Sequence, residues 1–259
     1  MEIQSVKKTM NILSILSNNK NKPVSVSAIS KITGFNKSTC MHILSTLMSD
    51  GYVKKVSHSQ GYILGPSTYL LTRYGRYDED FISICRPVIR WLFNKINCTI
   101  ILATLQSNQK FVIDYIDEKG ILTYGNSSKI FNDDIYRTAT GRAMLAHSDR
   151  DVVENFYKKH GKPLSEHWSE VNSYESLCEE LDKIKKTSVV KTEMVNPDKT
   201  ISIGYAQTLF KGISCIGSIG VAIKCQKDEY DEYVKRDTII KKRLSQATNE
   251  INRRLAYTV

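Results

Sequence analysis

Side chains able to do covalent or metal chemistry are scattered along this sequence. The six cysteines form no Cys-x-x-Cys pair, so the sequence indicates neither a zinc ribbon nor a disulfide framework. Residues 212–216 begin like a nucleophile elbow, but an isoleucine replaces the second glycine. None of the five histidines has a nucleophile at a catalytic spacing: His42, His58, His147, His160 and His167. We therefore predict a protein that is not an enzyme and holds no metal or cofactor.

A second group of polar side chains has the chemistry of DNA recognition. Hydroxyl and imidazole groups hydrogen-bond to base edges, and lysines are attracted to phosphates. Such residues cluster near the N-terminus, and the candidate DNA contacts are Ser27, Lys37, Ser38, Thr39, His42, Ser45, Lys54, Lys55 and His58.

The net charge is concentrated in the same region. The 259-residue chain has 37 Lys and Arg against 27 Asp and Glu, a formal charge of +10. Residues 1–75 carry nine cationic and two acidic side chains, a net +7, which leaves +3 for the other 184 residues. A polyanionic partner is therefore expected for the N-terminal third.

The apolar periodicity around these residues predicts three helices and a hairpin. Helices are expected over 3–17, from Ser25 or Ser27 to Gly34, and from Asn36 or Ser38 to Gly51, with two short strands around a turn at 57–61. The predicted inward residues of the first and third helices are Val6, Met10, Leu13, Leu16, Met41, Leu44, Leu47 and Met48. This order is typical of a winged helix-turn-helix, whose second helix enters the major groove. A small helical domain with a merely solvated basic face is the alternative.

The remaining chain alternates between helical and strand patterns. A helical linker is expected over 65–80, followed by a helix to Asn97 that Pro87 should kink or restart. Further helices are predicted from Thr140, from Ser148 to His160, from Ser173 to Lys186 and over 231–255; strands are predicted over 99–105, 110–117, 121–124, 189–194, 201–209 and 213–224. The fold class is therefore α+β with a mainly antiparallel sheet.

Four segments in this order and spacing resemble the IclR (isocitrate-lyase-regulator) family of bacterial transcription factors. They are residues 5–16, 36–53, 61–66 and 138–146, and the likeness extends from about Ile3 to Leu255. The resemblance implies a winged helix-turn-helix domain over 1–65, a linker helix over 66–80 and a GAF-like effector-binding domain over 81–259. It also implies a homodimer or a dimer of dimers that binds a pseudopalindromic operator.

The resemblance further implies control by a small organic, aromatic or sugar acid. Transferred position by position, the effector-binding candidates are Ala139, Thr140, Glu193 or its neighbour Thr192, Ser202 and Ser218. Arg137 and Tyr124 are weaker candidates, and Arg142 is expected at the surface or between domains. The pattern departs from the family at His42, where an Arg is common, and over 135–138, where the family has Leu-His-Ala-Thr.

Strand alternation bears on one of these candidates, Ser218. It predicts that Ser214, Ile216, Ser218 and Gly220 share one face of their strand and that Cys215, Gly217, Ile219 and Val221 share the other.

We expect a regulator, with repression of a catabolic operon as the leading hypothesis. A general DNA-binding architectural protein without effector control is the alternative. No apolar run approaches the ~20 residues of a membrane helix, and the N-terminus has no signal-peptide core, so a cytoplasmic protein without membrane contact is expected.

Overall fold

The computed structural model describes residues 3–19, 22–56, 61–73, 79–106, 109–124 and 135–257. The chain divides into two compact units, Met1–Asp78 and Glu79–Val259. No helix in the described part is long and apolar enough to cross a membrane.

In its described residues the first unit has four helices and a small antiparallel sheet. Its elements are α1 (Gln4–Asn18), β1 (Val24–Ser25), α2 (Val26–Thr33), α3 (Lys37–Ser49), β2 (Val53–Val56), β3 (Gly61–Leu64) and α4 (Pro66–Arg73). The sheet order is β1-β3-β2, with both pairs antiparallel. Ile12, Leu16, Ile29, Cys40 and Leu44 form the centre of its core.

Local capping fixes the turn between α2 and α3. The Ser25 hydroxyl accepts from the backbone N–H of Ala28 and begins α2. Gly34 ends α2 with φ +73, in the left-handed region that favours glycine. The Asn36 side chain then accepts from the N–H of Thr39 at 2.7 Å, which begins α3.

Asn36→Ala is expected to destabilise the first unit by about 1 kcal/mol, because the N–H of Thr39 loses its acceptor. Chemical denaturation monitored by circular dichroism measures the change. Ser38→Ala is the matched control, since Ser38 is the second residue of α3, is exposed and is not the N-cap. Equal destabilisation by the two variants would contradict the capping role.

The inward face predicted for two helices is partly wrong. Val6, Met10 and Met41 are about half exposed, whereas Ile12 and Cys40 are fully buried. In α3 the core-facing line runs through Cys40, Leu44 and Leu47, because these residues follow a spacing of four and three. Met41 therefore lies beside His42 on the outer side of α3.

The second unit is a six-stranded antiparallel sheet with helices on both faces. Its strands are β4 (Thr99–Gln106), β5 (Gln109–Ile116), β6 (Leu122–Tyr124), β7 (Val190–Val195), β8 (Ile201–Lys211) and β9 (Ser214–Cys225), in the order β6-β5-β4-β9-β8-β7. Its helices are α5 (Glu79–Ile96), α6 (Ala139–Ala146), α7 (Arg150–His160), α8 (Tyr174–Lys185), α9 (Tyr230–Lys235) and α10 (Asp237–Leu255). The α+β class with a mainly antiparallel sheet is confirmed.

The two faces of this sheet have different partners. On one face α5 and α10 bury the main apolar core, which includes Leu92, Leu102, Tyr205 and Ile219. On the other face α6 packs over β8 and β9, with Ala139 and Ala143 against Ala206. A further cluster around Phe156 and Trp168 joins α6, α7 and α8 on that side.

Three predicted boundaries of the second unit differ from the structure. Helix α5 continues through Pro87 without restarting, because its apolar stripe on both sides of the proline packs against the sheet. Ser148 does not cap α7; it donates to the carbonyl of Met144, and Asp149 is the N-cap. The predicted helix over 231–255 is two helices separated at Arg236, whose guanidinium donates to the carbonyl of Ile96.

The strand-face prediction for β9 is wrong near its start. Phe210 pairs with Cys215 and Leu209 with Gly217, so Ile216 is the extra residue of a β-bulge. Ile216 packs with the α5 core, while Cys215 packs with Ala103 and Met144 on the opposite face. Because the bulge resets the alternation, Ile216 does not share a face with Ser218 and Gly220.

Candidate DNA-contact surface and ligand cavity

The outer side of α3 presents short polar side chains. Lys37, Ser38, His42 and Ser45 are exposed, and Thr39 is half-buried. They lie on the face opposite the buried line of Cys40, Leu44 and Leu47. A helix with this face has hydrogen-bonding groups of the size and direction that major-groove recognition requires.

Met41 joins this surface although its apolar character predicted burial. Its side chain is 54 % exposed. A flexible thioether on a groove-facing helix is suited to apolar contact with a thymine methyl group. Sequence reasoning missed it because an apolar residue at a helical spacing is more often in a core.

The other candidate DNA contacts lie on α2 and β2. Ser27 is exposed in the first turn of α2. Lys54 and Lys55 are exposed on β2, which pairs with β3 through Lys54↔Ile63 and Lys55↔Tyr62. His58 lies outside the described residues.

The second unit contains a cavity of about 360 Å³ between α6 and the sheet. Alternate residues of four strands turn toward it: Thr99 and Ile101 on β4, Gly220, Ala222 and Lys224 on β9, Ser202 and Gly204 on β8, and Thr192 and Met194 on β7. Lys110 and Val112 of β5 line it as well. The start of α6 covers one part of it through Thr138, Ala139 and Thr140.

Two glycines let the first turn of α6 approach the sheet. A Cβ on Gly204 would lie 2.6 Å from the Thr192 hydroxyl oxygen and 3.3 Å from the Ala139 Cβ. A Cβ on Gly220 would lie 2.5 Å from the Thr140 Cγ2. The N-terminus of α6 is therefore placed directly above β8 and β9.

The first backbone N–H groups of α6 point out of the helix without intrahelical acceptors. The Thr138 hydroxyl caps the helix by accepting from the N–H of Gly141 at 3.2 Å. Within the described ranges the N–H groups of Ala139 and Thr140 have no acceptor. Unpaired donors at a helix N-terminus favour an anion.

Arg137 reaches the cavity from the short 3₁₀ helix Ile135–Arg137. Its Nη2 donates to the Asn196 side-chain oxygen at 2.7 Å, and its Nε contacts the sulfur of Met194. Asn196 in turn donates to the Ser202 hydroxyl at 2.8 Å. No carboxylate in the described part of the chain pairs with Arg137, so its charge is left for a ligand.

Two further cationic side chains, Lys110 and Lys224, line the cavity. Lys110 donates to the Thr138 hydroxyl at 2.9 Å. Lys224 pairs with Asp198 at 2.7 Å, and hydrogen bonds from Lys224 and Thr200 lower the pKa of that exposed carboxyl to about 2. Glu118 is the acidic residue among the lining side chains, against Lys110, Arg137 and Lys224.

The structure brings together four of the seven effector-binding candidates. Ala139, Thr140, Arg137 and Ser202 all line the cavity. The Tyr124 side chain lies outside the described residues.

Two candidates lie elsewhere. Glu193 is on the opposite face of β7, where its carboxylate accepts from the Tyr230 hydroxyl at 2.6 Å; its neighbour Thr192 lines the cavity because successive strand residues face opposite sides. Ser218 is fully buried two residues before Gly220 and donates to the carbonyl of Gln207 at 2.9 Å, outside the cavity lining.

Arg142 is partly exposed and does not line the cavity. Its guanidinium lies 4.0 Å from the centre of the Trp168 ring, and its Nε donates to the carbonyl of Tyr136 at 2.7 Å. It therefore fixes the segment after α7 against the start of α6. Sequence reasoning could not find this contact, because Trp168 lies in an irregular stretch 26 residues away.

Both units match models of known protein families. Residues 5–57 match the IclR helix-turn-helix domain, and residues 77–230 match the C-terminal domain of bacterial transcriptional regulator IclR. The chain belongs to the IclR family. As a member it is a DNA-binding transcriptional regulator with a helix-turn-helix domain and an effector-binding domain.

Individual relatives are distant. The chain is 22 % identical over 230 residues to the HTH-type transcriptional regulator TtgV of Pseudomonas putida, covering 89 % of this chain and 83 % of TtgV. It is 25 % identical over 190 residues to KdgR of Escherichia coli, covering 71 % of this chain and 68 % of KdgR. These relatives are named as transcriptional regulators, which points to a DNA-binding protein rather than an enzyme.

Solved structures share the fold at low identity. An IclR homologue from Microbacterium hydrocarbonoxydans, complexed with 4-hydroxybenzoate, has a TM-score of 0.71 at 15 % identity, covering 98 % of this chain and all of that one. An IclR regulator from Silicibacter has a TM-score of 0.64 at 20 % identity, covering 98 % and 97 %. The GAF-like description of the second unit stays a prediction.

Proposed function

We propose that this regulator reads a pseudopalindromic operator through α3 and changes its DNA affinity when a small organic, aromatic or sugar acid occupies the cavity. The cavity carries the proposal, because Arg137, which pairs with no carboxylate in the described part of the chain, lines it together with the unpaired helix N–H groups of Ala139 and Thr140. That a homologue was crystallised with 4-hydroxybenzoate supports an acidic ligand. The regulator acts as a repressor of a catabolic operon.

The proposed DNA contacts divide into two roles. Ser38, Thr39, His42 and Ser45 contact base edges from α3, while Lys37 neutralises phosphate at its start. The other proposed contacts are to the phosphate backbone of the DNA, and they are made by Ser27, Lys54, Lys55 and His58. The proposed division of the chain is a DNA-binding domain over 1–65, a linker helix over 66–80 and an effector-binding domain over 81–259.

A homodimer is part of this proposal. Two helices of the first unit expose apolar side chains: Val6 and Met10 on α1, and Tyr69, Leu70 and Leu71 on α4. Exposed apolar stripes of this kind favour association with a second copy. A two-fold dimer would place two copies of α3 about one DNA turn, ~34 Å, apart.

The experiment is a ligand screen coupled to DNA binding. We expect at least one small carboxylic acid to raise the melting temperature of the purified protein and to shift its affinity for a selected DNA fragment. A ligand shifts DNA affinity only if it binds one conformation better than another. DNA binding that no acid alters, with equal affinity for all sequences, would instead support an architectural protein without effector control.

A further inference from the structure

The cavity has two separate places for negative charge, and this inference rests on the proposed acid-binding function. The first is the start of α6, where the N–H groups of Ala139 and Thr140 are unpaired and Lys110 contacts the capping hydroxyl of Thr138. The second is Arg137, held over β7 by Asn196 and Met194. A single small carboxylate fills only one of these two places.

Strand register gives the distance between the two places. Ala139 lies above Gly204, which pairs with Thr192 on one side and Ala222 on the other. Arg137 contacts Met194, in the next row on this face, where Ser202 pairs with Met194 and Lys224. Successive rows on one face are two residues apart, so Ala139 and the row that Arg137 contacts are separated by about 7 Å along the strands.

Buried hydroxyl groups show that the first place is built for a polar ligand. Thr140 and Thr192 are only 4 % and 8 % exposed, and both line the cavity. Neither side-chain hydroxyl has a hydrogen-bond partner among the residues that the structure describes. Because both residues line the cavity, a ligand carboxylate is a group that would accept hydrogen bonds from these donors.

Apolar side chains line the same cavity between its charged parts. Ile101, Val112, Ala139 and Ala222 contribute methyl and methylene surface. A short hydrocarbon chain fits this lining, since it loses no hydrogen bonds on leaving water. An extended dicarboxylate of about five or six carbons spans about 7 to 8 Å between its outer carboxylate oxygens.

We propose that the effector is a dicarboxylate of about five or six carbons, with one carboxylate at the start of α6 and the other on Arg137. Arg137 is then the residue that distinguishes a dicarboxylate from a monocarboxylate, because it contacts only the second carboxylate.

Isothermal titration calorimetry on the full-length protein tests this proposal. The probes are glutarate and adipate, each matched with the monocarboxylate of the same carbon number, valerate and hexanoate. We expect each dicarboxylate to bind at least tenfold more tightly than its partner. Arg137→Met should weaken dicarboxylate binding about 10- to 100-fold and monocarboxylate binding less than about threefold, the range of one charged hydrogen-bonded contact.

Two further variants keep the result interpretable. Arg137→Gln retains hydrogen bonding without charge and should give the same loss of preference. Arg150→Met removes an exposed arginine that pairs with Asp182 outside the cavity and should change nothing. Circular dichroism checks that each variant is folded.

The outcomes separate this inference from the proposed function. Dicarboxylates and monocarboxylates that bind with equal affinity, or an Arg137→Met variant that weakens both equally, would overturn the dicarboxylate assignment and leave an acid-binding regulator. Absence of binding by every acid in both series would overturn the proposed function as well.

Discussion

Gly204→Val is expected to abolish acid binding in the cavity while the protein still binds DNA. The added Cβ would lie 2.6 Å from the Thr192 hydroxyl oxygen and 3.3 Å from the Ala139 methyl, and valine adds two methyl groups beyond it. The start of α6 must therefore move away from β8. We expect ligand affinity to fall more than ~100-fold and unfolding free energy to fall by about 1–3 kcal/mol, as in overpacked cores.

Gly217→Ala is the matched control for this effect. Its Cβ would lie 2.6 Å from the backbone oxygen of Ala103, so it also strains the sheet, but Gly217 does not line the cavity between α6 and the sheet. It should lower the melting temperature and leave ligand affinity unchanged. Binding of acid by Gly204→Val within about threefold of the unmodified protein would contradict the assigned cavity.

His42→Ala and Lys54→Ala are expected to weaken DNA binding in different ways. His42 is exposed on the outer side of α3, so its loss should cost about 1–3 kcal/mol on the preferred site and relax preference at particular base pairs. Thr39→Ala is expected to act in the same way. Lys54 is exposed on β2, so its loss should weaken binding to all sequences alike and reduce the salt slope by about 1.

Fluorescence anisotropy at several salt concentrations, on preferred and unrelated duplexes, separates the two behaviours. Lys227→Ala removes an exposed lysine of the second unit and serves as the charge-matched control. Uniform loss of affinity from His42→Ala, Thr39→Ala and Lys54→Ala would remove the assignment of α3 as the recognition helix.

The parts of the fold with local signals could be predicted from the sequence. Gly34 and Asn36 specify the turn before α3 by a left-handed residue and a side-chain cap, both of which act within four residues. Five strands of the second unit are six to twelve residues long, and their alternating or apolar patterns predict them. These signals depend on neighbours along the chain, so no tertiary information is needed.

The predictions that the sequence could not make correctly concern features that depend on contacts between distant segments. The bulge at Ile216 comes from pairing with Leu209 and Phe210, and it changes which residues of β9 share a face. The sequence leaves Glu193 and Thr192 as alternatives, because a shift of one residue moves every side chain to the other face of a strand.

The roles of the two arginines before and within α6 also needed the structure. Arg137 and Arg142 are five residues apart, yet one lines the cavity beside Asn196 and the other packs on Trp168. Either could neutralise an acid as far as the sequence alone is concerned. The partners that decide between them lie on β7 and in the segment after α7.

Selection of DNA by the purified full-length protein tests the central claim most directly. A pool of random duplexes is incubated with the protein, and the bound sequences are compared after several rounds. We predict a shared motif with two-fold symmetry and half-sites about one DNA turn apart, because a dimer presents two copies of α3. Bound sequences that share no symmetric motif would contradict a sequence-specific regulator.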